Sequence, residues 1–118
     1  MPGPILVVDD EPRLRDIVSE ILRDEGFTVI TAASGRAALE VLAATPDVAL
    51  VLTDRAMPGM DGVELFDAIR AMPAHRAVPV AFFSASGDAA GRDATIIPKP
   101  VPMDTLLAAV VSLIGPPR

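Results

Sequence analysis

The chain is 118 residues long, 51% hydrophobic but only 3% aromatic, so one domain (residues 1–118) with an aliphatic core is expected. Its 10 basic residues against 16 acidic ones leave a net charge of −6, without the basic footprint that direct nucleic-acid binding requires. It has no cysteine for disulfide or thiolate chemistry, no basic signal region at residues 1–4 and no apolar run of membrane-spanning length, so the expected location is cytoplasmic, away from the membrane.

Ile5–Val8 is a continuous apolar run, as expected of a strand buried on both faces. It ends at Asp9-Asp10-Glu11, and Pro12 suits the first turn of a helix. Leu14, Ile17, Val18, Ile21 and Leu22 then form one apolar stripe, and Gly26 is placed to cap the helix end. Residues 27–32 read as a second strand. Ser34 can cap a helix carrying Ala38, Leu39, Val41 and Leu42, which Pro46 ends. Residues 48–53 form the most apolar strand and run into Asp54. After a turn at Met57-Pro58-Gly59, Asp61-Gly62-Val63-Glu64 has capping-box spacing, and its helix should bury Leu65, Phe66 and Ile69. A loop with Pro73 and His75 leads to a strand over residues 78–83. Residues 84–95 are rich in glycine and alanine and show little periodicity. Ile96-Ile97 makes a short fifth strand before Pro98-Lys99-Pro100. The last helix covers about 103–114, with Leu106, Leu107, Val110 and Val111 inward, until Gly115-Pro116-Pro117 stops it. Strands alternating with helices imply a parallel sheet covered on both faces.

The residues able to do chemistry sit at strand ends. In an open α/β sheet, sites form outside the carboxyl ends of the strands, near the switch in strand order. Asp9 and Asp10 end the first strand, Asp54 the third, Ser84 the fourth and Lys99 the fifth. Three crowded carboxylates repel one another unless a cation intervenes, and an oxygen-only set without His or Cys suits Mg²⁺. Each residue alone has an ordinary reading: a helix cap, a turn serine, a surface lysine. The weight lies in their occurring together.

Taken together, Val7-Val8-Asp9-Asp10-Glu11, Leu52-Thr53-Asp54-Arg55-Ala56-Met57-Pro58-Gly59-Met60-Asp61-Gly62, Phe83-Ser84-Ala85 and Lys99-Pro100 resemble the response-regulator receiver family of two-component signalling. The resemblance covers nearly the whole chain. It implies a flavodoxin-like, doubly wound, five-stranded parallel sheet of order 2-1-3-4-5. It further implies Asp54 as phosphoacceptor, and Asp10 as a Mg²⁺ ligand with Asp9 assisting through water. Asp54 itself and the backbone carbonyl of Ala56 complete that metal set. Ser84 matches the hydroxyl that swings toward the phosphoryl group, Lys99 pairs with its oxygens, and the Lys99–Pro100 bond is expected cis. The implied donor is a histidine kinase or histidine phosphotransfer protein, often docked on the first helix. The implied output is contact with a downstream protein, and the implied catalysis is confined to the domain's own phosphorylation and dephosphorylation.

Two departures stand out. The aromatic residue usual three positions before the lysine is replaced by Ile96, and the stretch from Ser84 to Lys99 is shorter than usual by about two turns of helix. The helix between the fourth and fifth strands is therefore expected to be short, distorted or absent. His75 reads as a solvated loop histidine, Met57 and Met60 as packing residues, and Arg55 as solvent-facing, where it could tune donor access. An aspartate-nucleophile phosphatase of the haloacid dehalogenase kind would place Asp-x-Asp after the first strand, whereas Asp9 and Asp10 are adjacent. A nucleotide-binding fold would need a glycine-rich turn there. A receiver-shaped module that is never phosphorylated, or a phosphate sink, stays open as the alternative.

Overall fold

Strands such as Ile5–Val8 and Leu50–Asp54 have no polar face to show water, so they must be covered on both sides. In the computed structural model, which describes residues 2–100 and 102–117, they form the centre of a parallel sheet. The strands are β1 (Ile5–Val8), β2 (Val29–Ala32), β3 (Leu50–Asp54), β4 (Val80–Ser84) and β5 (Thr95–Pro98). Their order is β2-β1-β3-β4-β5, the flavodoxin-like arrangement expected. The helices are α1 (Pro12–Asp24), α2 (Gly35–Ala44), α3 (Gly62–Arg70) and α4 (Met103–Ile114).

Alternation along each strand divides the interior into two cores. Leu6, Val8, Val51 and Phe82 pack with Ala38 and Leu42 of α2 and Leu65, Phe66 and Ile69 of α3. Ile5, Val7, Leu50, Leu52 and Phe83 pack on the other side with Val18 and Leu22 of α1 and Leu106 and Val110 of α4. Among the described residues, no helix is long and apolar enough to cross a membrane.

Local signals hold where they were expected. The Ser34 side chain accepts the Ala37 N–H at 3.1 Å and caps α2. Asp61 accepts from the Glu64 N–H at 2.8 Å, while Glu64 accepts from the Asp61 N–H at 3.2 Å, a complete capping box on α3. Gly26 has φ of 105° just past α1, a conformation that costs glycine little.

Several expectations need correction. β2, β3 and β4 each begin two residues later than the apolar runs, because β1 starts at Ile5 and its partners in register are Val29 and Leu50. The preceding Phe27, Val48 and Val78 are buried without belonging to a strand. On α1, Ile17 is 53% exposed, and Ser19 is buried instead, its hydroxyl donating to the Arg15 carbonyl at 2.7 Å. The helix is thus rotated to set Val18, Ser19 and Leu22 against the sheet. On α4, Val111 is exposed for the same reason, and Leu106 and Val110 carry the contact. His75 is buried at 2% exposure: its short 3₁₀ turn (Pro73–His75) tucks the ring inward, and Nε2 lies 3.0 Å from the Thr45 carbonyl at the end of α2. A carbonyl only accepts, so Nε2 carries the proton in that bond.

No helix joins β4 to β5. Gly87, Ala90 and Gly91 have φ of 72°, 52° and 76°, left-handed conformations through which an α-helix does not propagate. The segment is pinned by Arg92, whose Nε and Nη2 grip the two oxygens of Asp67 on α3 at 3.1 and 2.6 Å. Arg92 Nη1 also donates to the Ala90 carbonyl at 2.8 Å. The Arg92 guanidinium holds the Asp67 carboxyl below its ordinary value of 3.8. The clamp is therefore complete above that value and is lost only as pH falls through the depressed one. Because the pair is exposed, its worth lies in local order and not in global stability. Asp67→Asn is expected to leave the thermal melt almost unchanged while speeding amide exchange across residues 87–94. Unchanged exchange there would show that the clamp orders nothing.

Candidate functional site

The register of the sheet decides which side chains meet. Val8 pairs with Thr53, Asp54 with Phe83 and Ser84 with Pro98, so the strands end level with one another. Asp9, Asp54, Ser84 and Lys99 consequently emerge at one rim, as the sequence implied.

Asp9 is 1% exposed. Its Oδ1 accepts the Glu11 N–H at 2.9 Å, and its carbonyl accepts from Arg15 Nη1 at 2.9 Å, while Oδ2 is buried without a partner. Asp10 beside it is exposed. One oxygen each from Asp9, Asp10 and Asp54 lie within 4.8 Å of one another. Burial pushes the Asp9 carboxyl above its ordinary 3.8; repulsion by Asp54 and Asp10 adds to this, while the Glu11 N–H and Lys99 oppose it. A buried carboxylate oxygen lacking any donor, in a set made only of oxygens, fits a hard divalent cation.

Asp54 is 7% exposed at the end of β3. Its Oδ1 is 2.9 Å from Lys99 Nζ and accepts the Ala56 N–H at 3.4 Å. Lys99 is held by its backbone, whose N–H donates to the Ser84 carbonyl at 3.3 Å, and the Lys99–Pro100 bond is cis. The loop after Asp54 folds back because Gly62 N–H donates to the Arg55 carbonyl at 2.9 Å. A Cβ on Gly62 would stand 2.5 Å from the Asp54 carbonyl oxygen and 2.9 Å from Arg55 Cα. Met57 is buried and Met60 half-buried in the core beneath, both as packing residues.

Ser84 is buried, and its hydroxyl is bonded to Ser86. Its hydroxyl lies 3.0 Å from that of Ser86, whose N–H donates back to it at 3.3 Å. Ser86 was missed in the sequence, where only its spacing of two from Ser84 points to it. A cavity of about 250 Å³ opens at the rim, lined by Asp54, Arg55, Ala56, Phe83, Ser84, Ser86 and Lys99. Arg55 was expected to face solvent. Its side chain is only 29% exposed, Arg55 lines this cavity, and Nη2 lies 3.7 Å from the Asp88 carboxylate on the segment that replaces a helix.

Residues 5–111 match the family model for the response regulator receiver domain. This chain belongs to that family. A two-component response regulator of rice, Oryza sativa, ORR11, is 36% identical over 83 residues, which are 70% of this chain and 56% of that relative. The chain thus spans little more than half the length of the first curated relatives it matches. Among solved structures, the chemotaxis protein CheY4 of Vibrio cholerae is 29% identical with a TM-score of 0.86, covering 96% of this chain and 99% of that one. The signal receiver domain of a signal transduction histidine kinase from Syntrophus aciditrophicus is also 29% identical, with a TM-score of 0.85, covering 95% of this chain and 89% of that one.

For this receiver, a raised Asp9 has a consequence for stability. The folded state holds the Asp9 proton more tightly than the unfolded chain does. Its contribution is therefore full below 3.8 and is lost as pH rises through the raised value. In metal-free buffer, Asp9→Asn is expected to melt above the unsubstituted protein near neutral pH, with the gap closing below the ordinary 3.8. A variant that melts lower at neutral pH would contradict the burial and repulsion assigned to Asp9.

Proposed function

We propose that residues 1–118 act as one phosphoacceptor receiver domain, which takes a phosphoryl group onto Asp54 and signals by protein contact. The observation that carries this reading is Lys99 Nζ at 2.9 Å from Asp54 Oδ1, with Asp54 lining the cavity and grouped with the carboxylates of Asp9 and Asp10. The donor is a histidine kinase or histidine phosphotransfer protein in the cytoplasm, docked on the exposed side of α1 around Ile17. The domain promotes its own phosphorylation and dephosphorylation, not turnover of a free substrate.

Asp9, Asp10, Asp54 and the Ala56 carbonyl would hold Mg²⁺. When bound there, the ion supplies positive charge that lets an anionic donor approach an acidic rim. The Asp54 carboxylate oxygen forms its bond to phosphorus as the phosphorus–nitrogen bond to the donor imidazole breaks, the nitrogen keeping the electron pair. Lys99 and the Ala56 N–H already point at the reacting carboxylate and stabilise charge on the transferring oxygens. The acyl phosphate adds roughly one to two negative charges beyond the carboxylate it replaces. Ser84 then exchanges its bond to Ser86 for a phosphoryl oxygen, which pulls on the end of β4.

Ile96 is half-buried against the α2 and α3 core, and no aromatic residue stands in its place to relay that movement. That favours, as a second reading, a phosphate sink with no output surface. Incubation with acetyl phosphate and Mg²⁺ should add one phosphoryl group by intact mass, mapped to Asp54. Asp54→Asn should abolish it, and Lys99→Ala should slow it on the order of 10²-fold. Labelling of Asp54→Asn at another residue would overturn the assignment.

A further inference from the structure

The mechanism above leaves a second cation at the cavity unused. Arg55 follows the acceptor directly, and its backbone is bonded on both sides, N–H to the Phe83 carbonyl at 3.1 Å and carbonyl to the Gly62 N–H at 2.9 Å. Arg55 lines the same cavity as Asp54, Ser84 and Lys99. The guanidinium is poorly served where it lies. Nε is buried and has no acceptor, and the approach to Asp88 is 3.7 Å, too long for a hydrogen bond, to a carboxylate whose side chain is 63% exposed. Such a pair is weak and screened. A phosphoryl group is the opposite kind of partner. It carries more charge and offers several oxygens to a planar fork that binds them two at a time. Lys99, 2.9 Å from Asp54 Oδ1, is the first cation at the acceptor.

Resting on the phosphoacceptor reading, we propose that Arg55 is a second phosphoryl-binding cation, which exchanges the Asp88 carboxylate for the phosphoryl group on Asp54 and so frees residues 87–91 from the site. The segment between β4 and β5 is tied down by ion pairs at two points, Asp88 to Arg55 and Arg92 to Asp67. The second tie is made to Asp67 on α3, and neither Arg92 nor Asp67 lines the cavity. Loss of the first leaves the stretch from Gly87 to Ala90 held only at its far end, where Arg92 N–H and Nη1 donate to the Ala89 and Ala90 carbonyls and Ala89 packs on the core. Arg55 thus reads the charge at Asp54 and converts it into release of a surface segment, in a chain that has no aromatic relay.

Beryllofluoride with Mg²⁺, a phosphoryl mimic that needs the Asp54 carboxylate, tests this by titration and by amide exchange. The unsubstituted protein should bind it and show faster exchange at residues 87–91. Arg55→Ala should weaken binding about 10- to 100-fold, the worth of a hydrogen bond to a charged group. Arg55→Lys should recover part of the loss, since the charge stays and the fork goes. Asp88→Asn should strengthen binding by about 2- to 5-fold by removing the competitor, and that gain should vanish when combined with Arg55→Ala. A purely structural Arg55–Asp88 pair cannot give those opposite signs. Unchanged binding by Arg55→Ala, or weakened binding by Asp88→Asn, would overturn this inference alone. Failure of the unsubstituted protein to bind, or equal binding by Asp54→Asn, would overturn the phosphoacceptor reading and this inference with it.

Discussion

Because all five strands run the same way, they deliver their last residues to one edge, and the register places those ends level. Asp9, Asp54, Ser84 and Lys99 share a rim for that reason and no other, coming from positions far apart in the chain. The rest of the molecule serves this alignment. Two aliphatic cores clamp the sheet from both faces, the capping box starts α3 where the loop after Asp54 must turn, and Gly62 leaves room for that loop to close.

Alignment of this kind has an electrostatic cost. Buried Asp9 holds the Glu11 N–H through Oδ1, but its orphan Oδ2 beside two further carboxylates is a cost that a neutral side chain there would relieve. Lys99 offsets part of the charge at Asp54 but leaves Asp9 without a donor on Oδ2. The site is therefore tense in the absence of a cation, and that tension makes it responsive to charge arriving at the rim. The segment from β4 to β5 suits such a device. It has few buried side chains and is held by exposed ion pairs, so it can reorganise at small cost.

What could be read from the sequence follows a physical line. Caps, turns and buried strands are local, and Ser34, Asp61, Gly26 and the run Ile5–Val8 announced themselves through their own chemistry. The missing helix was legible too, since glycines and a short count of residues are local facts. Strand starts were not, because Phe27 and Val48 are apolar for burial while pairing depends on where β1 begins. Ile17 fell on the expected stripe, yet the helix rotated by the width of one side chain to bury Ser19. His75 was not legible as a buried residue because it takes its position from a partner distant in sequence, the Thr45 carbonyl. Asp9, Asp54, Ser84 and Lys99 lie at or just past strand ends, where the apolar runs stop, while the hydroxyl pair of Ser84 and Ser86 depends on a loop conformation that spacing alone does not determine.

Burial and mutual repulsion make the carboxylate rim costly, and a cation would relieve that cost. Parallel thermal melts of the unsubstituted protein and Asp10→Ala, in EDTA and in millimolar Mg²⁺, test that claim most directly. Asp10→Ala should melt higher in EDTA, because one repelling carboxylate is gone, and lower in Mg²⁺, because the intact site gains the binding free energy of the ion. A variant less stable than the unsubstituted protein in EDTA, or a melt of the unsubstituted protein that Mg²⁺ does not raise, would contradict it.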